Sequence, residues 1–391
     1  MHENMVDTAR ILIGGDVCLG GRQQVLCMAE TPRGLFGDIL PELESADFSL
    51  INLECPLTSS RKEVRKSGPC LKGHTESIKT IRNAQIRAVN LANNHIMDYG
   101  LKGLCETIEV CKNENVELFG AGANFEEASK PLVTQVNSIR LAFMGMAENE
   151  GFFASTNRSG ANPIDVRNFL KVMELKKSGL DYLVVLLHAG KEYYPLPSPS
   201  LLHLCHFLAD LGADAIICQH SHCVGSYEAY GDSLIVYGQG NLYFPPFSFS
   251  PPSWDQGVLV ELSFSKNKAI GMKYKFIPFV NPRGETGIKR LSEIDERHLL
   301  DDFEKRSAVL RDYASLERAW ETLCLSHSEK VLYQLMGSNR IFRYLLSKLN
   351  VRRYFFDEEW YLWLKNIIQC ESHRDIAGKI LDNHLKKRFE R

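Results

Sequence analysis

The segment Asp214-Ala215-Ile216-Ile217-Cys218-Gln219-His220-Ser221-His222 joins an apolar run to two histidines. Its first part has the length and the β-branched content of a buried strand. Because side chains two residues apart in an extended chain point to the same side, His220 and His222 are expected to present their imidazoles together. His-x-His at a strand end is a common way to hold one metal ion or to bridge two. We therefore predict a metal site where this strand ends.

Four more polar motifs precede this one, each close to the end of an apolar run. They are Gly14-Gly15-Asp16-Val17-Cys18, Asn52-Leu53-Glu54, Asn93-Asn94-His95 and His188-Ala189-Gly190-Lys191-Glu192. Ligand sites in open α/β sheets gather at the carboxyl edge of the strands, so strands of one sheet would bring these side chains together. Aspartate, glutamate, asparagine and histidine form an oxygen and nitrogen ligand set that suits Mn, Fe or Zn. The motifs thus predict a metalloenzyme.

Each motif also has a plainer structural interpretation. Asp16 alone suits a Gly-Asp turn, and Glu54 alone carries little weight. Asn94 or Asp98 is a usable helix cap, and a lone histidine such as His188 is more often a satisfied core residue than a ligand. The metal site is therefore predicted from the five motifs together, above all from the His-x-His segment.

Three other histidines and one glycine-rich segment favour ordinary roles. His203 and His206 lie three residues apart on a predicted helix without an acidic ligand motif, so we expect a helix face. His74 is expected in a surface loop, where it could touch substrate. Gly238-Gln239-Gly240-Asn241 lacks the Lys-Ser/Thr of a P-loop and the spacing of a dinucleotide fingerprint, so a phosphate site is not predicted.

Strand-like runs alternate with helical stretches from Ile11 to about Pro278, an order typical of α/β architecture. The predicted helices are residues 100–115, 168–178 and 200–211, and two late strands are predicted at 257–263 and 272–277. Ser198 or Ser200 is a usable N-cap for the third helix.

The pattern changes after Pro282, beyond which no proline occurs. Leu, Lys, Arg and Glu dominate there, with apolar residues at helical spacing, which predicts a bundle of several helices. Because 391 residues exceed one ordinary core, we expect two domains, residues 9–282 and a helical region over residues 283–391. The aromatic stretch at 354–363 either forms the core of that helical region or walls a groove for a substrate or a peptide partner.

Composition and charge exclude several classes of protein. A net charge of −2 leaves no basic surface, so no nucleic-acid partner is expected. No run reaches the ~18–20 apolar residues that cross a bilayer, so no transmembrane segment is expected, and residues 1–7 lack the basic and apolar parts of a signal peptide. Eleven cysteines without paired spacing favour free thiols, so the expected location is cytoplasmic. The sequence leaves the oligomeric state open.

In order along the chain, the motifs resemble those of the CapA/PgsA family, which is named for capsule and poly-γ-glutamate synthesis and belongs to the calcineurin-like metallophosphatase superfamily. The resemblance covers roughly residues 9 to 264 and includes Tyr237-Gly238-Gln239-Gly240-Asn241. It implies an α/β fold, a four-layer α-β-β-α metallophosphatase-like sandwich with the metal site at the strand ends. The helical C-terminal extension lies outside the resemblance.

The resemblance also implies two divalent metal ions, for which Mn, Fe and Zn are the candidates, and a residue for proton transfer. The metal ligands would be Asp16 and His222 on the first ion, Asn94, His188 and His220 on the second, and Glu54 as the bridging carboxylate. His95, beside the ligand Asn94, would be the general acid or base, and Glu192 and Arg22 are the further catalytic candidates. Two ions ~3.5–4 Å apart can activate water and stabilise a developing oxyanion.

The chain departs from the metallophosphatases at Cys18, because their first motif, Asp-x-His, has a histidine at that position. We expect Cys18 to be an inert filler on the strand face that it shares with Asp16, rather than a thiolate ligand. The N-terminal membrane segment that capsule-type members usually carry is not expected either. These departures weaken the transfer of a capsule role to this chain.

Three functions follow as hypotheses. The leading one is a metal-dependent hydrolase that acts on an amide, γ-glutamyl or phosphoester bond of a peptide-like or polymer substrate. The second is a metal-assisted acid/base enzyme that epimerises a peptide in a natural-product pathway. The third is a non-catalytic factor for the assembly of a capsule or poly-γ-glutamate polymer, with a vestigial metal site.

Overall fold

The computed structural model describes residues 7–20, 32–283, 287–335 and 358–369, together with residues 373, 376, 377, 380 and 381. Two large sheets form the centre of the fold, and a small two-stranded ribbon of β5 (Ala121–Gly122) and β8 (Gly160–Ala161) lies beside them. The remaining strands all belong to the two large sheets.

The first sheet combines parallel strands with an antiparallel edge. In order across the sheet its strands are β16 (Lys289–Arg290), β15 (Lys273–Val280), β14 (Gln256–Ser265), β1 (Thr8–Val17), β2 (Phe48–Leu53), β3 (Ala88–Asn90) and β4 (Glu117–Phe119), and β13 (Asn241–Tyr243) pairs with the end of β1. Strands β1 to β4 run parallel, as their continuous apolar runs favour. The two late strands predicted from the sequence are confirmed as β14 and β15.

The second sheet has parallel strands at its centre. Its order is β11 (Tyr227–Tyr230), β12 (Ser233–Val236), β10 (Ala215–Gln219), β9 (Tyr182–His188), β7 (Ile139–Ala147) and β6 (Leu132–Val136). Strands β12, β10, β9 and β7 are parallel, whereas β11 and β6 pair antiparallel at the two edges. The strand of the His-x-His segment therefore lies in the middle of this sheet.

Helices cover the outer face of each sheet. Those against the first sheet are α1 (Pro32–Phe36), α2 (Leu40–Ser45), α3 (Ile78–Asn83) and α4 (Gly100–Asn113). The short α5 (Phe125–Ala128) packs on β5, and α6 (Val166–Lys177) and α7 (Pro199–Asp210) cover the second sheet. The three helices predicted from the sequence are confirmed to within two residues at each end, and Ser198 caps α7 by accepting a hydrogen bond from the amide of Leu201.

Alternate residues of the central strands point to opposite layers. In β1, Ile11 and Ile13 pack between the sheets, whereas Leu12 packs under the helices. In β9, Val184 faces the other sheet and Val185 faces the helices. Three apolar clusters therefore separate four layers, and the predicted α-β-β-α sandwich is confirmed.

The parallel strands of both sheets end at one edge of the sandwich, where Asp16 lies one residue before the end of β1 and His188 ends β9. The register of β1 against β2 shifts just before Asp16. Here the backbone passes so close to Gly240 that a β-carbon on Gly15 would lie 2.0 Å from the carbonyl oxygen of Gly240. Only glycine fits this irregularity in β1, which lies directly before Asp16.

The chain forms two compact units, Met1–Trp320 and Glu321–Arg391. In the first, α8 (Glu293–Val309) packs Leu299 and Phe303 into the cluster between the sheets. Helix α9 (Tyr313–Leu335) spans the division and α10 (Glu358–Gln369) lies in the second unit, so the helical character predicted for the tail is confirmed in these parts.

The domain boundary expected after residue 282 stays a prediction. Of the aromatic stretch at 354–363, residues 354–357 lie outside the described residues. Within the described part of the chain, no helix is long and apolar enough to cross a membrane.

Candidate metal centre

All six predicted metal ligands lie together at the carboxyl edge of the strands. Asp16 is the last residue but one of β1, and His188 is the last residue of β9. Glu54 follows β2, Asn94 follows β3, and His220 and His222 follow β10. Five of them are buried, and Asn94 is partly exposed. The strand ends thus bring together side chains that are far apart in the sequence, as the arrangement of a parallel sheet favours.

Three ligand-type atoms lie close to Nε2 of His188. Nε2 of His188 lies 3.0 Å from Oδ1 of Asn94 and 3.0 Å from Nδ1 of His220. The same nitrogen lies 3.4 Å from Oε1 of Glu54. Ligand atoms that sit about 2 Å from a shared metal ion have separations of this size. These four residues are candidates to hold one ion.

Glu54 also belongs to a second group, with Asp16 and His222. Nδ1 of His222 lies 3.4 Å from Oδ2 of Asp16, and its Nε2 lies 3.7 Å from Oε1 of Glu54. Ligand atoms of these three residues all lie within 4.8 Å of one another. Because Glu54 is common to both groups, it has the position of a carboxylate that bridges two ions.

Both carboxyl oxygens of Glu54 are buried without a hydrogen-bond partner among the described residues. Burial raises the pKa of this carboxyl group well above its usual value, and the charge of Asp16 raises it further, whereas His222 opposes the shift. A buried carboxylate that is left unpaired is costly in free energy. The unpaired oxygens and the surrounding imidazoles therefore fit a divalent metal ion.

The imidazoles of His188 and His220 differ in their affinity for a proton. Burial lowers the pKa of His188 to about 3, and the neighbouring His220 adds to the effect. Burial also disfavours a charge on His220, but its hydrogen bond to Glu150 and the charge of Glu54 raise its pKa to about 9. Only the neutral imidazole binds a metal ion, so binding would release the proton of His220.

Two asparagines outside the predicted ligand set orient the ligands. Nδ2 of Asn52 donates to Oδ1 of Asp16 at 2.7 Å and lies 3.2 Å from Nδ1 of His188. Oδ1 of Asn241 lies 2.8 Å from Nδ1 of His222, which favours Nε2 of His222 as the ligand atom. Asn52 and Asn241 both occur within the quoted motifs. Their amides could therefore have been recognised from the sequence as partners of the metal ligands.

Glu150 reaches the site from the loop after β7. Its Oε2 accepts a hydrogen bond from Nδ2 of Asn94 at 2.9 Å, and its Oε1 lies 3.3 Å from Nε2 of His220. The bond to His220, with that to Asn94, lowers the pKa of Glu150 to about 2 although burial opposes the shift. No motif marks Glu150; its place just beyond a parallel strand was the signal that the sequence offered.

The acid/base candidate His95 is held by Asp98. Nδ1 of His95 lies 2.6 Å from Oδ2 of Asp98, and Oδ1 of Asp98 accepts from Nζ of Lys66 at 2.5 Å. Burial lowers the pKa of His95, against the opposing effect of Asp98. The alternative that Asn94 or Asp98 caps the next helix is wrong, because the N-cap of α4 is Tyr99 and makes no side-chain bond.

Cys18 lies outside both ligand groups. A hydrogen bond with Cys55, together with burial, raises the pKa of its thiol well above the usual value, which supports the filler interpretation. Glu192 is partly buried, and its charge raises the pKa of Glu54, so it lies near the site. Arg22 lies outside the described residues.

The three histidines for which ordinary roles were predicted each make a contact of their own. Nε2 of His203 lies 3.1 Å from the hydroxyl of Tyr313, and Nε2 of His206 lies 2.8 Å from Oε1 of Glu228. His74 accepts a hydrogen bond from the amide of Glu76 and caps a 3-10 turn. These contacts agree with the structural roles expected for them.

Two curated relatives share the part of the chain that holds the site. The “Capsule biosynthesis protein CapA” of Bacillus anthracis is 31% identical over 239 residues, which cover 59% of this chain and 58% of that protein. The “PGA biosynthesis protein CapA” of Bacillus subtilis (strain 168) is 29% identical over 239 residues, which cover 59% of this chain and 62% of that protein. The chain thus spans about three fifths of the length of these relatives.

Among solved structures, the calcineurin-like phosphoesterase YfkN from Bacillus subtilis is similar, with a TM-score of 0.40 and 12% identity over 80% of this chain and 98% of that one. The family described as “Bacterial capsule synthesis protein PGA_cap” matches residues 10–246, a range that contains all six predicted ligands and His95. This match covers more than half of the chain, and the family predicted from the motifs is confirmed. The chain belongs to the family of bacterial capsule synthesis proteins of the PGA_cap type.

Proposed function

We propose that the protein is a metal-dependent hydrolase that acts on an amide, γ-glutamyl or phosphoester bond in polymer or peptide metabolism. The observation that carries the proposal is the buried carboxylate of Glu54, whose oxygens have no hydrogen-bond partner among the described residues. Nε2 of His188 lies 3.4 Å and Nε2 of His222 lies 3.7 Å from its Oε1. The names of the two relatives, which refer to capsule and PGA biosynthesis, support a substrate from that area of metabolism.

The two ligand groups fit two divalent ions. Asn94, His188 and His220 would hold one, Asp16 and His222 the other, and Glu54 would bridge them. When bound, the ions would supply Lewis acidity, which lowers the pKa of water and stabilises developing negative charge. The mixture of nitrogen and oxygen ligands suits Mn, Fe or Zn better than Ca or Mg, which favour oxygen ligands alone.

His95 is the residue that we assign to proton transfer. Because Asp98 accepts the hydrogen of Nδ1, Nε2 of His95 is the atom that gives or takes a proton. Lys66 binds the other oxygen of Asp98, which keeps that carboxylate in place when His95 changes its charge. Glu192, partly buried near the site, and Arg22 are proposed to contact the substrate.

The Asp16 group offers fewer ligands than the group around His188. Cys18 stands where the metallophosphatase motif has histidine. Its free thiol is hydrogen-bonded to that of Cys55 and lies outside the ligand groups. Three protein ligands, Asp16, Glu54 and His222, leave coordination positions open for water and for the substrate. An incomplete first coordination shell is the arrangement that catalysis requires, since a closed site is a structural one.

Metal analysis of the full-length protein, followed by a substrate screen in H₂O and in D₂O, tests this proposal. We expect two metal ions per chain and cleavage of γ-glutamyl peptides, simple amides or phosphoesters. Glu54→Gln should lose the metal and the cleavage. Glu261→Gln, at a partly buried glutamate that pairs with Arg10 on the same sheet, is the matched control and should keep both.

Three outcomes would overturn the hydrolase. Deuterium uptake at a substrate α-carbon without a new fragment would replace hydrolysis by epimerisation. A protein that binds no metal, or that binds metal but neither cleaves nor exchanges any of these substrates, would favour a non-catalytic role in polymer assembly.

A further inference from the structure

Glu150 contacts two of the residues that would hold one metal ion, but it belongs to neither ligand group. Its Oε2 accepts a hydrogen bond from Nδ2 of Asn94 at 2.9 Å, and its Oε1 lies 3.3 Å from Nε2 of His220. The other polar atoms of these two side chains, Oδ1 of Asn94 and Nδ1 of His220, each lie 3.0 Å from Nε2 of His188. We call the ion that Asn94, His188 and His220 would hold the His188 ion. Glu150 thus contacts two of its ligands through the atoms that would not bind it.

The contact with Asn94 decides which end of the amide faces the ion. The oxygen and the nitrogen of a side-chain amide change places when the group turns over, and only the oxygen can bind a metal ion. An ionised carboxylate accepts hydrogen bonds and cannot donate them, so Glu150 favours the orientation in which Nδ2 faces it. Oδ1 of Asn94 is then left beside His188, where the ion would lie.

The contact with His220 decides which ring nitrogen can bind. A neutral imidazole carries a proton on one nitrogen and a lone pair on the other. The carboxylate of Glu150 beside Nε2 favours the proton there, which leaves the lone pair on Nδ1, the nitrogen beside His188. The backbone of His220 has a φ of 89°, which is unfavourable for a large side chain, and its amide donates to Oδ2 of Asp16 at 3.0 Å. Two different carboxylates therefore hold the backbone and the ring of this ligand.

We propose that Glu150 is a positioning residue of the metal centre: its carboxylate selects the ligand atom of both Asn94 and His220 and so raises the affinity for the His188 ion. The inference rests on the proposed function, because it concerns the same metal centre. Partners that orient metal ligands typically contribute about 10–100-fold to metal affinity. The side chain of Glu150 is 47% exposed, so water competes for its hydrogen bonds, and we expect an effect of about tenfold.

Glu150→Gln tests this role, because glutamine cannot serve both partners. Its amide has one oxygen and one nitrogen, so it presents a donor either to Asn94 or to His220. The residue that meets the donor would turn its own acceptor atom towards residue 150 and away from the ion. The substitution keeps the shape of the side chain, so any effect is due to the lost acceptor.

Two background variants of the full-length protein separate the two ions. His222→Ala lacks a ligand of the Asp16 group and would keep the His188 ion, whereas His188→Ala would keep the ion of the Asp16 group. Titration with Mn²⁺, with the free ion measured by electron paramagnetic resonance, gives the Kd. Adding Glu150→Gln should raise the Kd about tenfold in His222→Ala and leave it unchanged in His188→Ala. An unchanged Kd in His222→Ala, or an equal rise in both backgrounds, would overturn the role. Complete loss of the ion from His222→Ala would also overturn it, because Glu150 would then be a ligand.

Glu148→Gln is the matched control. Glu148 lies two residues before Glu150 in the same loop and is also exposed. Burial lowers the pKa of His188, and the charges of Glu150 and Glu148 both oppose that shift, so both carboxylates act on the same imidazole. The backbone amide of Glu148 donates to the carbonyl oxygen of His188 at 3.0 Å, a bond that the variant keeps. Glu148→Gln should leave the Kd unchanged in both backgrounds. A rise as large as that from Glu150→Gln would mean that negative charge near the site, rather than orientation of the ligands, sets the affinity.

Failure of the metal centre is distinguishable from failure of the positioning role. If a background variant binds no Mn²⁺, NMR of the metal-free protein with ¹⁵N-labelled histidine decides. The proton on Nε2 of His220, assigned by its absence in His220→Asn, should be visible in the wild type and in Glu148→Gln because a carboxylate accepts it. Glu150→Ala removes that acceptor, so exchange with water should remove the signal. This pattern without metal binding would refute the proposed function and keep the orientation of His220 by Glu150. A signal that does not depend on Glu150 would refute the positioning role whether or not the protein binds a metal.

Discussion

Oε1 of Glu54 lies 3.4 Å from Nε2 of His188, and the two atoms belong to different sheets of the sandwich. Glu54 follows β2 of the first sheet, and His188 closes β9 of the second. An ion held between them would join the two halves of the fold at the edge where their strands end. Metal binding is therefore expected to change the stability of the whole sandwich, in addition to any catalytic role.

The first prediction concerns that coupling. Saturating metal should raise the Tm of the wild-type protein, because a ligand at about 100 times its Kd stabilises the folded state by about 2.7 kcal/mol. In Glu54→Gln the metal-dependent rise should vanish. Without metal, the same variant should melt at or above the wild-type Tm, because the substitution removes a carboxyl group that is buried without a hydrogen-bond partner among the described residues. Scanning calorimetry with and without added metal measures both effects.

If Glu54→Gln lowers the Tm of the metal-free protein, this account of Glu54 is wrong, because the carboxyl group would then make a stabilising contact of its own. Glu261→Gln, in the same sheet, provides the comparison for an ordinary salt-bridged glutamate.

The second prediction separates the two ligand groups. His222→Ala removes a ligand of the Asp16 group only, so about one ion per chain should remain. His188→Ala removes the imidazole nitrogen on which the other group converges, and the ion that remains should be the one held by Asp16, Glu54 and His222. Elemental analysis after dialysis measures the stoichiometry. If either single variant loses all metal, the two groups hold one shared ion.

The sequence pattern was sufficient for an α/β fold with metal-ligand side chains at the strand ends, whereas the four-layer sandwich and the assignment of the ligands to two ions came from the family resemblance. Apolar runs that end in polar residues carry the information, because a parallel sheet gathers its carboxyl ends. The contacts of Glu150 and of Lys66 were missed, since both residues lie in loops whose course depends on tertiary packing rather than on local periodicity. The one signal for Glu150 was its position just beyond a parallel strand. The role of α8 was missed for the same reason: helical spacing identifies a helix, but not the layer into which Phe303 packs.

The third prediction concerns His95. His95→Ala should lower turnover by about 10²–10⁴-fold and leave the metal content unchanged, because the role proposed for its imidazole is to transfer a proton without binding an ion. Asp98→Asn keeps the shape of the partner but removes the charge that holds Nδ1, so it should lower turnover less than His95→Ala does. Steady-state kinetics with metal analysis of each variant is the measurement. Loss of metal in His95→Ala would reassign this residue as a ligand.

The fourth prediction concerns Cys18, the residue at the position of the metallophosphatase histidine. Its thiol is hydrogen-bonded to Cys55 and lies outside both ligand groups, so Cys18→Ala should keep the full metal content. Removal of the buried thiol, which leaves the methyl side chain of alanine, should cost about 1 kcal/mol of unfolding free energy, the usual size for a small core deletion. Cys55→Ala should behave alike. Loss of one ion in Cys18→Ala alone would identify a thiolate ligand.

The last prediction concerns the C-terminal helices and uses two truncations. A protein that ends at Trp320 keeps α8, whose Leu299 and Phe303 complete the cluster between the sheets, so it should stay folded and bind metal. A protein that ends at residue 289 lacks α8 and should aggregate. Phe303→Ala in the full chain tests whether the loss of α8 side chains from the cluster between the sheets explains the aggregation. It should lower the unfolding free energy by about 3–5 kcal/mol.

The truncation at Trp320 also distinguishes the two interpretations of the aromatic stretch at 354–363. Trp363, on α10, is 60% exposed, as a wall of a substrate groove would require. If the stretch binds substrate, removal of residues 321–391 should raise KM and leave kcat and metal content near their wild-type values, and Trp363→Ala in the full chain should raise KM in the same direction. If the stretch only forms the core of its own unit, the truncated enzyme should have wild-type kinetics. A KM effect of the truncation that Trp363→Ala does not reproduce would place the contact on another part of the removed segment.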